Sequence, residues 1–190
     1  MPSSDHIPLH VYLRDHGPIL STRARGKRAA EQLRTLADDP GDVILDFKDV
    51  EAATPPFLHE LIDAVHSVIV RDRDTGRIVL AANMNDDIAE TATFVLNRRK
   101  TALPYKTGKQ VELLGEAPHL AETLRHALKL RSFTAPELAE QLEIQSGTAN
   151  KRLEKLLEAG AVSRERDLTA KRGIRHIYHA VSPELAKAAD

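Results

Sequence analysis

The chain has 190 residues, no cysteine, a formal net charge of −1, and 42% hydrophobic against 29% charged residues. That composition fits a globular chain large enough to build a core without a metal or disulfide staple, and it excludes disulfides, thiolate zinc sites and cysteine nucleophiles. No apolar run approaches the ~20 residues of a membrane span, and the opening MPSSDHIPLH has no basic stretch followed by an apolar one, so the expectation is a cytoplasmic protein with no membrane partner.

Residues 11–13 and 19–20 read as short strands around a turn at His16, Gly17 and Pro18. A helical pattern follows over 25–37, with Ala29, Leu33, Leu36 and Ala37 on one face, and Pro40-Gly41 breaks it. The run Val43-Ile44-Leu45-Asp46-Phe47 suits a strand buried on both faces. Thr54 reads as an N-cap with Pro55 at the first helical position, opening a helix with an apolar stripe at Leu58, Leu61, Ile62, Val65 and Ile69. Thr75-Gly76 turns into a strand over 78–81. Asn85 or Asp86 caps the next helix, with Ile88, Ala92, Val95 and Leu96 inward, and 111–114 is the last strand of this half. Strands separated by single helices predict an α/β layer fold with crossover connections.

The pattern changes after Gly115-Glu116-Ala117-Pro118, which places a domain boundary near Ala117, giving domains at 1–117 and 118–190. Three helical patterns follow in close succession. The first turns Leu120, Leu124, Ala127 and Leu128 inward. The second opens on Thr134-Ala135-Pro136-Glu137, a capping-box spacing, and carries Leu138 and Leu142. The third spans 146–159, with Ala149, Leu153, Leu156 and Leu157 inward and Gly160 as its stop. Strand-like pieces at 161–166 and 174–181 flank a turn at 169–173. The joint is short, so the two domains are expected to touch, and 118–190 is expected to fold by itself.

Three helices and a two-stranded hairpin in this order resemble the winged helix-turn-helix domain of bacterial transcriptional regulators. The resemblance covers about 118–181 and is carried by FTAPELAEQLEIQSGTANKRLEKLLEAGAVSRE. It implies double-stranded DNA as partner, with the helix at 146–160 entering the major groove. Residue chemistry points the same way. Ser146, Thr148, Asn150, Lys151 and Arg152 cluster at the start of that helix, where Asn suits adenine, Arg suits guanine, and Lys, Ser and Thr suit phosphates. Arg164 and Arg166 share one face of the following strand, Lys171 and Arg172 occupy the hairpin tip, and Arg175 begins the return strand. Between Gln145 and Val181 there are eight Lys/Arg against four Asp/Glu, a local cationic surplus in a chain that has none overall.

VILDFKDVEAATPPFLHEL in the first half resembles STAS domains, the sulfate-transporter and anti-sigma-antagonist fold, and more closely a STAS-like family of unknown function. TRARGKRAAEQL, from Thr22, resembles that family's helix start, and coverage is about 9–115. The resemblance implies a mixed sheet with helices that binds a protein partner or small ligand. Anti-sigma antagonists carry a phosphorylatable Ser or Thr followed by glycine at the helix start. Pro55, Pro56 and Phe57 stand there instead, which removes the kinase switch and leaves Thr54 as a cap.

No Gly-rich phosphate loop, nucleophile elbow or paired catalytic carboxylates are present, so no catalytic residue, cofactor or metal is expected. His59, Asp63 and His66 share a helical flank, but seven residues separate the histidines, about 10.5 Å along the axis and too far for one ion. The expected protein is a DNA-binding transcriptional regulator whose STAS-like half senses a partner or dimerises. Dimerisation follows from the match of two-fold proteins to palindromic sites. The rival is a protein-interaction adaptor whose STAS-like half docks on a kinase or ATPase and whose winged helix is a scaffold.

Overall fold

The structure, a computed structural model, describes residues 8–72, 74, 76–115, 117–168 and 175–189. In chain order the elements are β1 (Leu9–Tyr12), a 3-10 turn (Leu13–His16), β2 (Ile19–Leu20), α1 (Arg23–Leu36), β3 (Val43–Asp46), β4 (Ala52–Ala53), α2 (Pro55–Arg71), β5 (Val79–Ala82) and α3 (Asp86–Arg99). These are followed by β6 (Leu103–Thr107), β7 (Gln110–Leu114), α4 (Pro118–Leu130), β8 (Ser132–Phe133), α5 (Ala135–Gln141), α6 (Ser146–Glu158), β9 (Val162–Arg166), β10 (His176–Ala180) and a final 3-10 segment (Pro183–Ala189).

Five strands form one mixed sheet in the order β1-β3-β5-β6-β7. β1, β3, β5 and β6 run parallel, and β7 returns antiparallel along β6. The parallel strands need crossovers, which α1, α2 and α3 supply. The alternation of side chains explains why β3 and β5 read as unbroken apolar runs. Val43, Leu45, Val79 and Ala81 join the core under α1–α3, while Ile44, Leu80 and Ala82 face the opposite way.

That second face of the sheet is covered by the second half of the chain. Ile44, Ile78, Leu80, Ala102 and Val111 share one continuous core with Leu124, Leu138, Leu153, Leu156 and Leu157. The contact reaches the backbone: the Val79 N–H donates to the Gly160 carbonyl at 3.0 Å. Gly160 has φ +70, and a Cβ there would stand 2.9 Å from Ile69 Cδ1 and 3.1 Å from Val79 N. Only glycine both stops α6 in this conformation and admits so close a neighbour. Because the core is shared, cutting at 118 uncovers apolar surface on both pieces, which argues against the expected independent folding of 118–190.

Several local expectations are sharpened. Asn85, not Asp86, caps α3, its Oδ1 accepting from the Ile88 N–H at 2.9 Å. Glu137 closes the predicted box at the start of α5, accepting from the Thr134 N–H at 2.7 Å and hydroxyl at 2.8 Å. Thr54 occupies the N-cap position of α2, but its hydroxyl donates to the Leu20 carbonyl at 3.2 Å instead of capping. Pro55 and Pro56 have no N–H, so the first turn offers little to cap. Three strands escape the sequence reading: β4, β6 and β8. In β6 the run Leu103-Pro104-Tyr105-Lys106-Thr107 contains a proline, which argues against a strand until the antiparallel partner β7 is known.

Candidate nucleic-acid interface

α4, α5 and α6 pack around Leu124, Leu138, Leu153 and Leu156. β8, β10 and β9 form a three-stranded antiparallel sheet beside them, one strand more than the expected hairpin. The Phe133 and Tyr178 rings stack 6.0 Å apart between β8 and β10 and tie the sheet to the start of α5. Three helices with a trailing β9–β10 hairpin make a winged-helix arrangement.

α6 is amphipathic along its length, but its two ends differ. Ala149 is buried, while Ser146, Gly147, Thr148, Asn150 and Lys151 are exposed. This first turn contains no acidic residue. Two hydroxyls therefore stand in the first turn, at the positive end of a helix dipole, with a carboxamide and an ammonium group exposed in the second turn, an arrangement that favours an anionic partner.

Arg152 and Arg164, both expected to face such a partner, are each bonded within the chain. The Arg152 side chain is 19% exposed and lies 3.6 Å from Glu122 of α4. Its Nη1 donates to Thr123 Oγ1 at 3.2 Å. Thr123 is itself fully buried, and its hydroxyl donates onward to the His119 carbonyl at 2.7 Å. Arg152 thus fixes α6 against α4.

Arg164, 15% exposed, pairs with Glu154 of α6 at 2.6 Å. Its Nε donates to the Asp74 carbonyl at 3.1 Å, across the joint between the halves. Burial opposes its charge, and the Tyr178 hydroxyl and the Glu154 carboxylate more than restore it. These bonds pin β9 to α6. Arg166 lies two residues further toward the hairpin tip, on the same face of the strand, exposed and without an ion pair among the described residues. Arg175 is 54% exposed and lies 3.7 Å from Asp167. Lys171 and Arg172 lie outside the described residues.

The flank of α2 that carries His59, Asp63 and His66 is occupied by Arg99 of α3. Arg99 pairs with Asp63, and its Nη1 lies 3.2 Å from His59 Nδ1. Burial and the neighbouring Arg99 hold His59 below the ordinary histidine range. Among the described residues, no group of three or more His, Asp or Glu side chains is placed to hold a metal ion. No helix among them is long and apolar enough to cross a membrane.

No curated protein and no solved structure matches the chain. Residues 121–184, from the first turn of α4 through β10, match the family model of TrmB, a sugar-specific transcriptional regulator. The second half of the chain is therefore similar to a domain of a transcriptional-regulator family, which is not an enzyme family, and the match takes in α4–α6 and the wing together.

Proposed function

We propose that the protein is a DNA-binding transcriptional regulator in which residues 118–190 form the DNA-binding unit and residues 1–117 a STAS-like sensing or interaction unit. The exposed, acid-free first turn of α6 is the observation that carries this reading, standing as it does inside a regulator-family match. Ser146, Thr148, Asn150 and Lys151 meet the major groove. Asn150 is the residue suited to a base edge, and Lys151 to a phosphate. Arg166 and Arg175, with Lys171 and Arg172 of the wing, meet the flanking backbone. Arg152 and Arg164 hold α6 and the wing in place for those contacts.

Parallel strands interleaved with α1–α3 support the STAS-like reading of the first half. With Pro55 and Pro56 at the start of α2, that half works by binding a partner or small ligand, not as a phosphorylated switch. The protein acts as a homodimer on a two-fold site.

The test is duplex binding by the whole chain over a salt series. About four to five neutralised phosphates per protomer give a log affinity falling with log salt at a slope of about −4. Absence of binding to both selected and random duplexes would favour the adaptor reading.

A further inference from the structure

A groove of 510 Å³ opens between the β6–β7 turn, α4 and the end of β10, so that both halves of the chain build it. Its floor is apolar: Val111 and Val181 are buried and Leu128 half-buried. Among the described residues its rim carries three exposed cations, Lys109, Arg125 and Arg131, against one carboxylate, Glu184. Among the described residues, none of the three cations has an ion pair or a side-chain hydrogen bond. Elsewhere in this half Arg152, Arg164 and Arg175 each lie within 4 Å of a carboxylate, while Arg166 of the wing has no ion pair among the described residues.

Arg131 adds a second, independent sign. It ends α4 with φ 64 and ψ −58, a conformation that strains any residue with a Cβ. Its N–H donates to the Ala127 carbonyl and its carbonyl accepts from the Ala180 N–H, both at 2.8 Å, and these bonds hold the backbone in place. Glycine would serve both bonds without strain. An arginine held there supplies something that glycine does not, namely a guanidinium on the rim of the groove.

We propose that this groove binds a small organic anion with an apolar body: the carboxylate or phosphate monoester lies among Lys109, Arg125 and Arg131, and the hydrocarbon part rests on Val111, Leu128 and Val181. The volume lies within the range of small-ligand sites. An occupant bridges the β6–β7 turn of the first half to α4 and β10 of the second. The proposal stands apart from DNA binding, and no DNA enters its test.

The experiment is calorimetric titration of the whole chain with three probes of equal chain length: monooctyl phosphate, octanoate and 1-octanol. Both anions are expected to saturate one site per chain, with 1-octanol at least about tenfold weaker. The ratio of the two anions tells phosphate from carboxylate as the preferred headgroup. Arg125→Gln and Arg131→Gly should each weaken anion binding about tenfold, as expected for loss of a charge-assisted hydrogen bond. Arg131→Gly should melt no lower than wild type, which a merely structural arginine would not allow. Lys109→Gln, on the exposed turn, repeats the binding test without touching α4. The proposal is overturned if 1-octanol binds as tightly as the anions, if neither anion binds at millimolar concentration, or if Arg125→Gln and Lys109→Gln bind like wild type.

Discussion

The two ends of α6 lie within one 13-residue helix and have opposite environments. From Ser146 to Lys151 the outward side chains are free, polar and without acid. From Arg152 to Glu158 the helix is tied to the rest of the molecule by Arg152 to α4, by Glu154 to the wing and by the buried Leu157 to the sheet-side core, while Lys155 pairs with Glu158 within the helix. Amphipathicity alone does not create this difference, because both ends follow the same periodicity. It arises because the helix runs from an open first turn into the joint between the halves. An element built this way holds its free end in a fixed pose, and whatever shifts the joint moves that end.

The largest effect should come from breaking the tied end. Gly160→Val forces a branched side chain into φ +70 and against Ile69 and the Val79 N–H. The expected loss is about 2–4 kcal/mol of stability in urea unfolding, combining backbone strain with overpacking. Both halves should unfold in one transition shifted together, because they share a core. Two separated transitions would mean that the sheet and the winged helix are energetically independent.

Next in size come the two arginines that tie the far end of α6. Arg164→Ala leaves Glu154 without its partner and frees the Asp74 carbonyl, so it should cost about 1–3 kcal/mol in the same unfolding assay. Arg152→Ala leaves the buried Thr123 hydroxyl without its donor and should cost about 1 kcal/mol. Its effect on DNA should follow its effect on stability, with base preference unchanged. An Arg152→Ala protein of wild-type stability but altered sequence preference would return Arg152 to the reading surface.

These two arginines also mark what the sequence can and cannot tell. The stop at Gly160, the box at Thr134 and Glu137, and the double burial of β3 were all legible, because each is set by local chemistry or by side-chain period. The partners of Arg152 and Arg164 were not. Thr123 is 29 residues from Arg152, and Asp74 is 90 residues from Arg164. Spacing shows which cations share a face, but not which neighbour already holds them. The same blindness hid β6, where Pro104 argues against a strand until β7 lies beside it, and the shared core, whose second layer comes from the far end of the chain.

The smallest expected effect is one of pH. The Thr134 N–H and hydroxyl hold the Glu137 carboxyl below its ordinary range. A carboxylate whose folded value is depressed contributes stability above its unfolded value and loses it as pH falls through the folded one. Stability of wild type should therefore decline in mildly to strongly acidic solution more than that of Glu137→Gln, which lacks the titrating group. Because Glu137 is exposed, the difference should be small. Parallel acid unfolding curves for the two proteins would show that the box contributes nothing through its charge.

In the function proposed above, the free end of α6 reads DNA while the tied end supports it. The most direct measurement is titration of the whole protein with its best selected duplex and a scrambled one, for wild type, Asn150→Ala and Lys151→Ala. Asn150→Ala should lose about 1–3 kcal/mol on the selected duplex and little on the scrambled one. Lys151→Ala should weaken both by a similar factor and make the salt slope shallower by about 1. All three proteins should unfold at the same urea concentration. Equal affinities of the three proteins on both duplexes would contradict the claim.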